Sequence, residues 1–339
     1  MNVKAKILEI LSKDSLAIFG LNNLFSFMEM AINAKLEVIK SNFFELVASG
    51  DIYEIKKGKF ITIPSHGFAK GKFLGNAKGF GFVQLGTSKN DNDIFIPANK
   101  TCGAIDGDNV IVKLAYDNTE GGEGEVVSVY KSVLHLVGVV CKQGQNFFLE
   151  PDNQNIPYKI RLLNGHTKFH KNDRVVIEVR RNTKNISGLV VEVLGQQDDI
   201  KSLELGIIRE HELFETFPQN VVEASENLPS SVKANQKKGR LDLTGQEIFT
   251  IDGLDAKDLD DAVSIKKTKT GYELGVHIAD VGEYVKQGSC IDEEAFNRAT
   301  SVYFPTSVLP MLPIKLSNGI CSLNEGVERL TLSCIMQVD

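Results

Sequence analysis

The chain has 339 residues, 42% of them hydrophobic and 24% charged, which is the balance of a soluble globular protein long enough for several domains. A net charge of −6 excludes a uniformly basic nucleic-acid binder but not local basic surfaces, because steering depends on where charge sits. Five cysteines, odd in number, widely spaced and without a CxxC pair, argue against a disulfide framework or a zinc site and predict a reducing, cytoplasmic setting.

Glu9, Ser12, Lys13 and Asp14 interrupt any signal-peptide apolar region. The stretch Leu24 to Ile32 is broken by Ser26 and Glu29 and is too short to span a bilayer. Residues 1–64 read mostly helical, with Ile7, Leu8 and Leu11 and then Phe43, Phe44, Leu46 and Val47 on helix-like spacing. Gly50 punctuates a helix end, and the apolar runs from Ile52 to Ile63 predict a hairpin turning at Lys57-Gly58-Lys59. Helices followed by a hairpin predict a winged helix-turn-helix; a helical cap packed on its neighbour reads equally well.

From His66 to about Gly195 the chain becomes short alternating strands with regular turn residues, the pattern of small β-barrels. In the first, residues 66–130, the run Lys78-Gly79-Phe80-Gly81-Phe82-Val83 puts Phe80 and Phe82 on one face and Gly81, Val83 and Leu85 on the other. With Lys72 and Lys78 nearby, and Phe73 and Phe95 on adjoining strands, these rings predict an RNA-binding face that stacks bases and attracts phosphates. The alternative is that the rings are core. The motifs KGFGFV and DIFIP resemble a cold-shock domain, an OB-fold family, over Gly67 to Val129.

The second barrel-like unit, residues 134–195, repeats the layout: GDNVIVKL in the first corresponds to KNDRVVIEV here. Its aromatic signature is poorer, leaving Lys168, Lys171, Arg174, Arg180 and Arg181 either to bind RNA or to form a solvated face. Residues 196–241, with a helix-like stretch from Leu203 to Phe217 and then prolines and serines, predict a connector. Its basic end, Lys233, Lys237, Lys238 and Arg240, suits a polyanionic substrate, although linkers are often basic for no such reason.

Residues 242–339 carry, from Phe249 to Ile265, the run FTIDGLDAKDLDDAVSI, where Asp252, Asp255, Asp258, Asp260 and Asp261 crowd between two apolar runs that read as strands. Carboxylates this close repel one another. A hard divalent cation such as Mg²⁺ would remove that conflict; a solvated acidic turn is the bland alternative. An EF-hand is excluded, since Leu254 and Ala256 occupy ligand positions.

That block, together with YELGVHIADVGEYV and NRATSVYFPTSVLPMLPIKLSNGICSLN, closely resembles the catalytic domain of the ribonuclease II and ribonuclease R family of processive 3′-5′ exoribonucleases. The resemblance implies a mainly β, multidomain chain: winged helix-turn-helix, two OB-fold barrels, then the start of an α+β catalytic domain. It implies that Asp252, Asp258, Asp260 and Asp261 hold Mg²⁺ and position the attacking water, with Asp260 the most critical for cleavage, and that Tyr303 stacks on the RNA 3′-terminal nucleotide. Asp255 falls at a variable place, Asp280 matches a family aspartate of open role, and His277, between apolar neighbours, reads as an ordinary structural histidine.

The family's domain continues beyond the residues matched here. The expectation is therefore a truncated catalytic domain, inactive alone or completed by a separate polypeptide, whose substrates are single-stranded RNA 3′ ends and structured RNA. A non-catalytic cold-shock-type RNA-binding protein with a vestigial nuclease segment is the alternative.

Overall fold

The computed structural model describes residues 2–13, 21–64, 67–86, 93–115, 122–182 and 185–339; His66, Asp14 and Asn92 lie outside the described residues. The chain forms two compact units, Met1–Glu210 and His211–Asp339. Among the described residues no helix is long and apolar enough to cross a membrane.

The first unit begins with three helices, α1 (Val3–Lys13), α2 (Leu21–Ile32) and α3 (Leu36–Ala48), and a hairpin of β1 (Ile52–Lys56) and β2 (Lys59–Thr62). Ile7, Met28, Ile39 and Phe43 are fully buried with Ile52 and Phe60, so the helices and one face of the hairpin share a core. α3 stops at Gly50, whose φ of 71° is open to glycine without strain. A Cβ there would also meet the Tyr130 ring at 2.8 Å. The other face of the hairpin, through Ile61 and Ile63, packs on Ile111 of the barrel that follows.

That barrel comprises β3 (Phe68–Gly75), β4 (Gly81–Gln84), β5 (Ile94–Ile96), β6 (Asn109–Leu114) and β7 (Gly124–Lys131). The sheet order is β5-β4-β3-β6-β7, and a parallel bridge between Phe95 and Glu123 brings β5 against the start of β7. The second comprises β8 (His135–Gln143), β9 (Asn146–Pro151), β10 (Ile160–Leu162), β11 (Asp173–Arg181) and β12 (Ile186–Gln196), closed in the order β10-β12-β11-β8-β9 with β10 and β12 parallel. The two are wired alike, as the repeat in the sequence predicts.

They also share a local device. Gly107 (φ 91°) and Asn172 (φ 70°) each take a left-handed turn just before a buried aspartate. Asp108 accepts a hydrogen bond from Ile105 N at 2.9 Å, and Asp173 one from His170 N at 2.7 Å, each three residues back. Burial pushes the Asp108 carboxyl pKa up, against the pull of its donors. Those donors, which also include Val133 N at 2.9 Å and the Arg181 guanidinium at 2.6 Å, meet the hydrogen-bonding requirement of a buried carboxylate.

The segment expected as a connector is folded. α4 (Ile200–Glu210) packs Leu205 against Val137, Val176 and Leu194 of the second barrel, and so ends short of Phe217. The second unit then carries α5 (Gln219–Glu226), α6 (Ala234–Lys237), β13 (Asp261–Lys267), β14 (Tyr272–Ala279), α7 (Cys290–Arg298), the two-residue strands β15 (Val302–Tyr303) and β16 (Val308–Leu309), and β17 (Thr331–Val338). β13, β14 and β17 form an antiparallel sheet in that order. Val221, Tyr284, Ile291, Leu316, Ile320 and Cys321 make its core. Burial pushes the Cys321 thiol up to about 11. All five cysteines are free thiols.

Candidate functional site

The acidic segment is a loop entering a strand. Its first apolar run is not a strand: Phe249 makes only an isolated bridge to Val263, and Ile251 is exposed. Phe249 and Ile251 are 47% and 82% exposed, so the alternation of this run does not face a core. From Lys257 onward the backbone is fixed. Ser322, fully buried, donates its hydroxyl to Lys257 O at 2.8 Å and accepts from Leu259 N at 3.1 Å. Leu323 N donates to Leu259 O and Ala279 N to Asp260 O, both at 2.9 Å. Asp258 and Asp260 thus sit on a peptide segment clamped from two sides, with Asp261 the first residue of β13. Asp252 and Asp255 lie in the exposed part of the loop.

Burial, and then the charges of Asp258, Asp261 and Asp252, raise the pKa of Asp260. The four aspartates therefore share one electrostatic neighbourhood. Tyr303, 63% exposed, donates its hydroxyl to Asp258 Oδ2. That hydrogen bond, followed by burial and the charges of Asp258 and Asp260, raises the Tyr303 pKa. Tyr303 is 45 residues from Asp258 in sequence, and the β15–β16 hairpin brings it there.

Among the described residues no three His, Cys, Asp or Glu side chains form a ready-made cage for an ion. The donors are nevertheless of a type a hard cation accepts: all-oxygen carboxylates, whose charges add to burial in raising the Asp260 pKa. Asp252, Asp258, Asp260 and Asp261 are the residues that could hold Mg²⁺.

His277 is structural, as read. It is buried in the sheet between Ser264 Oγ at 3.0 Å and Ser333 Oγ at 2.8 Å, and burial lowers its pKa. Asp280 is paired with Arg240 at 2.6 Å. Arg240 also lies 3.5 Å from Glu283, and Lys237 pairs with Glu328 at 2.5 Å. Half of the basic end expected to meet a polyanion is therefore engaged within its own unit.

On the first barrel the aromatic reading divides. Phe80, Phe82 and Phe95 form a surface cluster with ring centroids 5.6 to 5.9 Å apart. Phe82 and Phe95 are 38% and 37% exposed, Phe80 is half-buried, and Lys72 and Lys78 are exposed. Phe73 does not belong to this face. It is 2% exposed, pairs in register with Val83 and lies under Gly81, where a Cβ would come within 2.4 Å of its ring. Leu85, beyond the end of β4, is exposed rather than turned inward.

On the second barrel Arg174 is buried against Asp152, and Arg181 reaches back to Gly103 O and Asp108. Arg180 pairs with Glu178 at 2.7 Å, while Lys168 and Lys171 are exposed. The two arginines hold the structure together rather than line a free basic surface. Sequence reasoning missed Ser322, although it stands in the quoted block NGICSLN.

Residues 240–339 match the RNB domain, residues 71–129 the Ribonuclease B OB domain and residues 148–218 the Cold shock domain. Ribonuclease R 1 of Lactococcus lactis is 39% identical over 288 residues, covering 79% of this chain and 35% of that protein. Ribonuclease R of Acidithiobacillus ferrooxidans is 32% identical over 313 residues, covering 89% of this chain and 70% of that protein. Mycoplasma genitalium RNase R, solved in complex with ribose methylated single-stranded RNA, superposes with a TM-score of 0.70 at 26% identity, covering 80% of this chain and 44% of that one. The chain spans 35 to 43% of the length of the first curated relatives it matches. Shared sequence over most of the chain, the paired barrels and the RNB segment lead to one conclusion: the chain belongs to the ribonuclease R and ribonuclease II family.

Proposed function

We propose that this chain serves Mg²⁺-dependent 3′-5′ hydrolysis of RNA, its first barrel gathering single-stranded RNA and its aspartate loop forming one wall of the catalytic centre. The observation that carries the reading is the hydrogen bond from Tyr303 to Asp258, which sets an exposed aromatic ring beside the carboxylates around Asp260.

In this reading Tyr303 stacks on the 3′-terminal base, since an aromatic face holds any base without reading sequence. Asp252, Asp258, Asp260 and Asp261 hold the metal, and Ser322 fixes the peptide that carries Asp258 and Asp260. When bound there, a divalent cation would stabilise the negative charge that develops on the phosphodiester during hydrolysis. The N-terminal helices and hairpin serve as a winged helix-turn-helix, a further nucleic-acid-binding element. The five free thiols support a reducing, cytoplasmic setting.

The test is a 3′-tailed RNA labelled at its 5′ end, incubated with Mg²⁺ and either the parent chain or Asp260→Asn. Stepwise shortening by the parent and none by the variant is expected. Equal shortening by both would remove Asp260 from the chemistry. RNA binding without any shortening would favour a purely RNA-binding chain.

A further inference from the structure

Between the two barrels lies a cleft of about 170 Å³ whose walls come from both. The first barrel contributes Asn76, Phe80 and Thr101, the second Asn155 and Tyr158, and buried Phe73 also lines it. The walls are held in place. Asp106 accepts from Gly75 N at 2.8 Å and from Asn153 Nδ2 at 2.9 Å, tying the β3–β4 turn to the segment before Tyr158. Gly75 is required at this junction, because a Cβ there would lie 2.7 Å from Asn155 O. The cleft is thus preformed within one compact unit.

Its size and lining select one kind of occupant. The volume is well under the ~300 Å³ at which pockets for drug-sized ligands begin, so it suits a single heterocycle. Phe80 and Tyr158 supply π-faces. Polar side chains line it as well: among the described residues the Asn155 side-chain amide and the Thr101 hydroxyl have no partner within the protein and are available to the edge of a base. Asn76 accepts from Lys78 N through its oxygen at 3.0 Å, which leaves its NH₂ to donate. Phe80 belongs both to this cleft and to the surface cluster with Phe82 and Phe95. A strand stacked on that cluster therefore arrives at the cleft mouth, and Lys78, exposed and one residue before Gly79 of the lining, is near enough in the chain to meet the backbone phosphate.

We infer that the cleft is a single-base pocket: one nucleobase of a bound RNA strand leaves the stack on Phe82 and Phe95 and inserts between Phe80 and Tyr158. The second barrel, poor in surface aromatics, thereby enters RNA recognition through one tyrosine at the junction. Unstacked bases held by aromatic rings and hydrogen-bonded at their edges are the usual targets of RNA readers. This inference rests on the RNA-binding reading above.

The experiment measures affinity of the whole chain for an unstructured fluorescent 12-nucleotide RNA with Mg²⁺ omitted, scanning a single abasic site along the strand. In the parent, the abasic site at one position is expected to weaken binding roughly tenfold, the scale of one lost stacked base. In Tyr158→Ala, binding to the intact strand falls by a similar factor and that position becomes insensitive to base removal. Tyr158→Phe, which keeps the ring, retains the sensitivity, and it guards against misfolding of the alanine variant. Tight binding by the parent with no position coupled to Tyr158 overturns the pocket while leaving the RNA reading intact. No binding by the parent overturns both.

Discussion

The two barrels are the same structure with different outer faces. In the first, Phe82 pairs with Phe95 across β4 and β5, and Phe80 stands two residues away on the same face. In the second, the matching register pairs Phe148 with Arg161, and Asn146 takes the place of Phe80. Arg161 Nη2 donates to Asn146 Oδ1 at 3.3 Å. The apolar inward pairs do not diverge in this way: Val83 and Leu149 are both fully buried, and the isoleucines and leucine flanking Phe95 and Arg161 are buried as well. An apolar core tolerates little freedom of type, because every inward side chain must fill space. The solvent face is free to differ, and there one barrel presents three clustered aromatic rings and the other a polar pair.

The comparison is most severely tested at the shared buried aspartates. Asp108→Ala strips the carboxylate partner from the partly buried Arg181 and from two backbone N–H groups, and is expected to cost about 3–5 kcal/mol in denaturant unfolding. Asp173→Ala, whose carboxylate meets His170 N and Gln196 without an arginine, is expected to cost less, about 1–3 kcal/mol. Equal losses would mean that the bond from Arg181 adds nothing.

For the outer faces, Phe80→Ala combined with Phe82→Ala is expected to weaken RNA binding by about 1–3 kcal/mol for each base no longer stacked. Phe148→Ala should move it by no more than about 0.5 kcal/mol, the scale of an ordinary surface change. Titration of the same RNA against both variants checks this, and a larger effect from Phe148 would reverse the assignment of the binding face.

The smallest effect concerns how the first barrel is tied to the helices before it. Burial pushes the Asp51 carboxyl up, but hydrogen bonds from Lys70 at 2.6 Å and from Ser49 outweigh it and hold the pKa below the usual carboxylate value. A depressed carboxylate pKa stabilises the fold above the unfolded value, near ~3.9, and that stability is lost as pH falls through the folded value. The stability profiles of the parent and Asp51→Asn should therefore differ at neutral pH and converge in acid. Parallel profiles would remove Lys70–Asp51 from the junction.

Much of this fold is legible in period-two alternation and turn residues, which is why the barrels, the hairpin at Gly58 and the Phe80–Phe82 face can be read from the chain. Phe73 was legible too, in a different pattern: Lys70 and Lys72 alternate with Ala69, Gly71 and Phe73, so the ring must point inward with the small residues. Residue type alone would set Phe73 with the surface aromatics; strand parity sets it in the core. Arg174 and Arg181 were not legible, since the carboxylates that engage them stand 22 and 73 residues away and only folding brings them together. At the acidic loop, the aspartates and Tyr303 could be named from their motif. What fixes the peptide between them could not, because a serine in an apolar run carries no mark of its partner.

Ser322 also sets an order of events. It grips Lys257 and Leu259 from 65 and 63 residues further along the chain, and closing a span of that length is slow compared with forming a hairpin. On the ribosome the aspartates emerge well before this clasp. The peptide that carries Asp258 and Asp260 is clasped from this side only when the segment around Ser322 docks, whereas Asp261 is already placed by the β13–β14 hairpin.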